Sequence, residues 1–201
     1  MKIEKSEKEA VLLRTLLILA MILLAAAVRL APHPWNFTPI GAIALFSGAM
    51  VRDRRLAFLF PVLVMCTTDL IIGFNKLSAL VYASFLLSVV IGRFLNQKRN
   101  LLRIGSTTFL GALQFFLITN FGVWAFLNSY PHTGAGLTAC YLAGLPLFWN
   151  TLAGDATYAT LLFGAFALAE HLAPNLCVGP QHAVPLTPRP NNKQPSASLS
   201  P

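Results

Sequence analysis

The sequence predicts an all-α membrane protein, and three observations carry that prediction. Hydrophobic residues make up 56% of the chain and charged residues 11%, where a soluble domain carries about a quarter charged residues. The apolar residues gather into runs that approach the roughly 20 residues a bilayer-crossing helix needs. Basic clusters and Pro- or Gly-rich breaks separate those runs. One polytopic domain follows, with six transmembrane helices and a re-entrant or interfacial helix between the fifth and sixth.

The elements follow in order. Residues 1–9 mix Lys2, Lys5 and Lys8 with Glu4, Glu7 and Glu9, a solvated cytoplasmic arm with helical charge spacing. The first span covers 10–30. Ala25-Ala26-Ala27 resembles a signal-peptidase site, but the arm is acid-rich and the run is long enough to span, so the segment is read as retained. Pro32, Pro34 and Pro39 bar a helix from 31–39. The second span, 40–51, is short, and Gly41, Ala44 and Gly48 suit close helix contact. The third covers 56–72, with a tight turn at Gly73-Phe74-Asn75-Lys76. The fourth covers 77–95, a basic loop 96–103, and the fifth 104–127.

Residues 131–147 have only a short apolar middle, 134–144, which suggests a re-entrant or interfacial helix ended by Pro146. Its ends would carry Tyr130-Pro131-His132 and Trp149-Asn150 to the rim, as a lid. The sixth span covers 150–172, closing a single domain over 10–172. Residues 173–201 are rich in Pro, Ser and Asn and form a disordered cytoplasmic tail.

Thirteen of the fifteen Lys and Arg fall on one side of this six-span arrangement; Arg29 and Lys76 fall on the other. That bias puts both termini in the cytoplasm and the protein in the inner (cytoplasmic) membrane. The net charge of +8 is thus assigned to orientation and not to nucleic-acid binding. Cys66, Cys140 and Cys177 lack metal or redox spacing and read as small packing residues. No metal or cofactor is expected. Nucleophile-elbow, zinc-protease and phosphate-loop motifs are missing from the sequence, so no enzyme is expected.

The polar residues within the spans are the candidates for function. At about 1.5 Å per residue, Asp69 lies roughly 20 Å and Asn120 roughly 24 Å from the cytoplasmic side. Asp155 lies roughly 8 Å below the outer start of the sixth span, and Arg29 ends the first. Asn36, Trp124 and Asn150 occupy the same outer level. An intramembrane carboxylate is a functional-site hypothesis by default. The expected site is therefore an outward-facing cup for a small-molecule ligand, built from Arg29, Asn36, Asp69, Asn120, Trp124, Asn150 and Asp155. In the bland alternative the tryptophans form an interfacial belt, Asn120 is interhelical glue, one carboxylate pairs with Arg29, and the other caps the sixth span or a turn.

The segments Arg29-Leu30-x-Pro32-His33-Pro34-x-Asn36-Phe37-Thr38-Pro39-Ile40-Gly41-Ala42, Thr119-Asn120-Phe121-Gly122-Val123-Trp124 and Leu145-Pro146-Leu147-Phe148-Trp149-Asn150-Thr151-Leu152-x-Gly154-Asp155 resemble the signature of an uncharacterised bacterial integral-membrane family, a domain of unknown function. More distantly the chain is similar to the substrate-binding S components of energy-coupling-factor vitamin transporters. That resemblance implies six helices, an outer ligand site, and docking on a membrane scaffold with ATPase subunits through small residues of the first helix, here Ala20, Ala27 and Ala31. The function expected is capture of a nutrient or vitamin-like solute from the outer face. An accessory structural subunit of a larger complex is one alternative. An intramembrane enzyme using Asp69 and Asp155 as acid and base is another.

Overall fold

The computed structural model describes residues 2–30, 32, 34–95 and 99–173. They form six helices: α1 Lys2–Arg29, α2 Ile40–Met50, α3 Arg54–Ile72, α4 Ser78–Arg93, α5 Leu101–Phe126 and α6 Gly134–Leu172. No strand occurs among the described residues. Four stretches are long and apolar enough to cross a membrane: Val11–Arg29 within α1, and the whole of α3, α5 and α6. The helices α2 and α4 are shorter but apolar. The tail expected to be disordered, and His33, lie outside the described residues.

Local capping sets the helix starts. Asp53 accepts a hydrogen bond from the Leu56 N–H at 3.0 Å, so α3 begins at Arg54 and not at Leu56. Asn100 accepts from the Arg103 N–H at 2.9 Å and starts α5 at Leu101, inside the stretch expected to be a basic loop. The turn after α3 forms as expected. Gly73 takes a φ of 103°, which a side chain would resist, and Asn75 accepts from the Leu77 N–H at 2.8 Å. The arm is not separate from the first span, because α1 runs through both.

The fold is organised around α2. Every one of its eleven residues is buried, and it packs against each of the other five helices. Its side chains Ile40, Ile43, Leu45 and Phe46 are essentially without exposed surface. Phe46 meets the rings of Phe163 and Phe166 edge-on at 5.2 and 5.9 Å. Glycine permits the closest crossing. A Cβ at Gly48 would strike the Val89 carbonyl oxygen, and one at Gly92 would strike that of Leu45, so α2 and α4 touch backbone to backbone.

Helix α3 contains a buried proline whose cost is met from α2. Pro61 has no N–H, so the carbonyl of Ala57, one turn earlier, loses its helical partner. The Ser47 hydroxyl of α2 donates to that oxygen at 2.8 Å. Both Ser47 and Ala57 are fully buried, so the bond satisfies an acceptor that water and lipid cannot reach.

One expectation is overturned. Residues 134–172 form a single helix of 39 residues, and Pro146 lies inside it. A separate re-entrant or interfacial helix does not stand between the fifth and sixth spans, and the lid built on it goes too. Packing along α5 explains the continuity. The Tyr141 hydroxyl donates to the Leu117 carbonyl at 2.8 Å, and Phe148 packs against Phe109 and Phe116. The Thr133 hydroxyl caps the start, accepting from the Gly136 N–H at 3.1 Å. Neighbouring helices let a transmembrane helix tolerate an internal proline; a count of apolar residues does not register that support.

Candidate functional site

The seven expected site residues fall into three bonded groups. In the first, Asp69 near the end of α3 meets Arg29 at the end of α1, Nη2 to Oδ1 at 2.8 Å. Arg29 also donates to the Thr68 hydroxyl. The Tyr82 hydroxyl, from α4, donates to the other carboxylate oxygen at 2.7 Å. Both oxygens of a carboxylate only 5% exposed are therefore engaged, and the group ties three helices together. This is the Arg29 pairing of the bland alternative. Tyr82 was missed, although a hydroxyl near the start of an apolar run is a readable signal.

The second group lies where α6 meets the start of α2. Asp155 is 3% exposed. Its carboxylate occupies the space a Cβ on Gly41 would need, against the first turn of α2. Pro39, before that turn, supplies no side-chain cap. Asp155 therefore lies beside the start of α2, the end where the helix dipole favours an anion. No Lys, Arg or His among the described residues pairs with it.

Two further members of this group hold the α1–α2 connection. The Asn150 amide donates to the Trp35 carbonyl at 3.0 Å. Asn36 carries a φ of 61° in a turn closed by the Phe37 N–H donating to the Pro34 carbonyl at 3.0 Å. Asn tolerates that left-handed position better than most residues. Phe37 then meets Tyr158 edge-on at 5.8 Å, and its backbone lies against Gly154. The connection is thus laid across the Asn150–Tyr158 face of α6.

The third group joins α5 to the first half of α6. The Asn120 side chain donates to the Phe116 carbonyl at 2.9 Å and rests on Gly144, where a Cβ would strike it. The Cys140 thiol donates to the Asn120 carbonyl at 3.4 Å, in keeping with a packing cysteine. The Trp124 indole donates to the Pro131 carbonyl at 3.0 Å and meets the His132 ring at 5.6 Å.

Asp69 and Asp155 sit on helices that do not touch; α2 contacts both α3 and α6 and lies between them. A narrow apolar crevice between α3 and α4, with no room for a water molecule, is lined by Pro61, Val62, Met65, Tyr82, Phe85 and Leu86. No group of three or more His, Cys, Asp or Glu that could hold a metal occurs among the described residues.

Three other residues were outside the expected site. Arg93 of α4 donates to the Val51 and Gly48 carbonyls at 2.8 and 3.4 Å, and so closes the C-terminal end of α2. The Gln114 amide nitrogen reaches the Ser84 carbonyl and the Ser88 hydroxyl, each at 3.0 Å. Its oxygen and the Thr108 hydroxyl are buried without a hydrogen-bond partner.

Apolar helices of crossing length, with charged groups in the interior held by other helices, define the class: an all-α membrane protein. Within that class the model of a family of unknown function, DUF6580, matches residues 9–176, and the chain belongs to that family. No curated protein and no solved structure matches it.

Proposed function

We propose that this protein binds a small water-soluble solute from the outer side of the cytoplasmic membrane, as a transport component of the S-component type. The observation that carries the reading is Asp155. A carboxylate 3% exposed, beside the first turn of α2 and paired with no cationic side chain among the described residues, is costly inside a bilayer. A cationic or hydroxyl-bearing solute would complete it. Asn150 and Asn36 flank it, and Trp35 and Trp149, 84% and 62% exposed, offer aromatic surface at the rim. Arg29, Asp69, Asn120 and Trp124 hold the surrounding helix ends and the α5–α6 loop.

The same reading has six crossings, both termini cytoplasmic, and a membrane scaffold with ATPase subunits as partners. At about 1.5 Å per residue α2 is roughly 16 Å long, so the connection before it completes that crossing. Discontinuous helices whose N-termini lie within the bilayer recur at transporter binding sites.

The test is native mass spectrometry on detergent-purified protein incubated with pooled small cationic and polyhydroxylated metabolites. The wild type should retain a small molecule. Asp155→Asn, which keeps the side chain's size and removes its charge, should lose at least tenfold in affinity with its melting temperature nearly unchanged. That follows from a charge-assisted contact of about 1.5–3 kcal/mol. Retention equal to the wild type, or no retention by either protein, rejects the proposal.

A further inference from the structure

The turn between α2 and α3 reads Val51-Arg52-Asp53-Arg54-Arg55-Leu56. A helix N-terminus carries partial positive charge and favours acidic side chains. Helix α3 does the opposite. Its first turn has no acid and holds Arg54 and Arg55, with Arg52 just before. The one carboxylate nearby, Asp53, has an oxygen engaged by the Leu56 N–H. Arg52, Arg54 and Arg55 are exposed, and none pairs with a carboxylate among the described residues.

Neighbouring helices add to the imbalance. Arg93 reaches the carbonyl of Val51, the residue before Arg52. Arg99, close by on Met50, lies 3.5 Å from Glu170. Among the described residues, guanidinium groups thus outnumber carboxylates at this end of the helical bundle.

An apolar track continues from this charge. Leu59 and Leu63 follow Arg55 at four-residue steps, so all three share one face of α3. Leu56, Leu59 and Leu63 are 39%, 44% and 47% exposed. Charge at the top of a helix and an exposed leucine stripe below it match the two halves of a phospholipid. We infer that Arg52, Arg54 and Arg55 bind the phosphate of an anionic phospholipid whose acyl chains lie along Leu59 and Leu63. The leucine stripe favours a lipid over free phosphate, which would use only the guanidinium groups.

The test uses full-length protein in neutral detergent at moderate salt, with native mass spectrometry counting bound dioleoyl phosphatidylglycerol against dioleoyl phosphatidylcholine. The wild type should prefer the anionic lipid on the order of 100-fold, with about a fivefold loss for each arginine removed. Arg52→Gln/Arg54→Gln/Arg55→Gln should bring the two lipids to parity. Arg52→Gln alone, outside the helix, gives the single step if the triple variant fails to fold. Arg103→Gln, at the start of α5, should change nothing. Equal retention of both lipids by the wild type, or an unchanged preference in the arginine variants, overturns the inference. Displacement of the lipid by millimolar inorganic phosphate would also overturn it, in favour of a free-anion site.

Discussion

The Ser47–Ala57 hydrogen bond makes a prediction in which the sign of one mutation depends on another. Ser47→Ala removes the side-chain donor on the Ala57 carbonyl, in a place where both residues have no exposed surface. A buried acceptor left unpaired costs about 1–3 kcal/mol. Hydrogen bonds between membrane helices average nearer 0.6 kcal/mol, because the unfolded chain in the membrane also finds partners. A loss of about 1–2 kcal/mol is the working figure, or roughly 2–8 °C in melting temperature for a chain of this size. Pro61→Ala restores an N–H one turn beyond Ala57, and with it a helical bond to the same oxygen. Ser47→Ala should then be close to neutral in the Pro61→Ala background. A double-mutant cycle followed by intrinsic tryptophan fluorescence in detergent reads the coupling directly. If Ser47→Ala costs as much in the Pro61→Ala background as in the wild type, the hydroxyl is not serving the proline's vacant carbonyl and the reasoning fails.

The ion pair and the close crossing give two more. Arg29→Leu should destabilise by about 3–5 kcal/mol, since it leaves the buried Asp69 carboxylate without the guanidinium; Asp69→Leu alone should also destabilise, and the double variant should recover most of the Arg29→Leu loss in a detergent melt. A double variant as unstable as the sum of the singles would refute the pairing. Gly48→Ala and Gly92→Ala place a methyl against backbone oxygen and should each cost about 1–3 kcal/mol. Gly105→Ala in α5, with nothing within 4 Å of the new methyl, should hold or raise the melting temperature. Equal melts for all three would mean that α2 and α4 do not cross at these glycines.

Hydropathy revealed where helices exist because each helix here meets apolar surroundings along most of its length. It failed where a neighbour supplied what the segment lacked. Pro146 looked like a terminator because the sequence does not display Phe109, Phe116 and Leu117 lying against α6. Asp53 and Asn100 were readable as caps, and overlooking them cost the first residues of α3 and α5. Small residues marked α2 for close contact, and the Gly48 crossing bears that out, but nothing in its eleven residues says that five helices surround them. Polar residues were legible as a set, and a carboxylate paired with Arg29 was among the readings; Asp69 is that carboxylate. Asp155 lies against the first turn of α2, which no spacing within α6 could disclose.

The two ends of α2 carry a consequence for how the chain is made. Its C-terminal carbonyls wait for Arg93, and the Asp155 carboxylate that lies against its first turn comes from the middle of the last helix. A helix of eleven residues cannot cross a bilayer alone. When α2 and α3 emerge during synthesis, α2 therefore has no complete resting place in the lipid, and the Ala57 carbonyl has no donor until α2 settles. The α1–α3 segment must persist as an open, unfinished hairpin until α6 arrives. A nascent chain halted before residue 155 should remain accessible around 40–50, and should close only when the last helix is released.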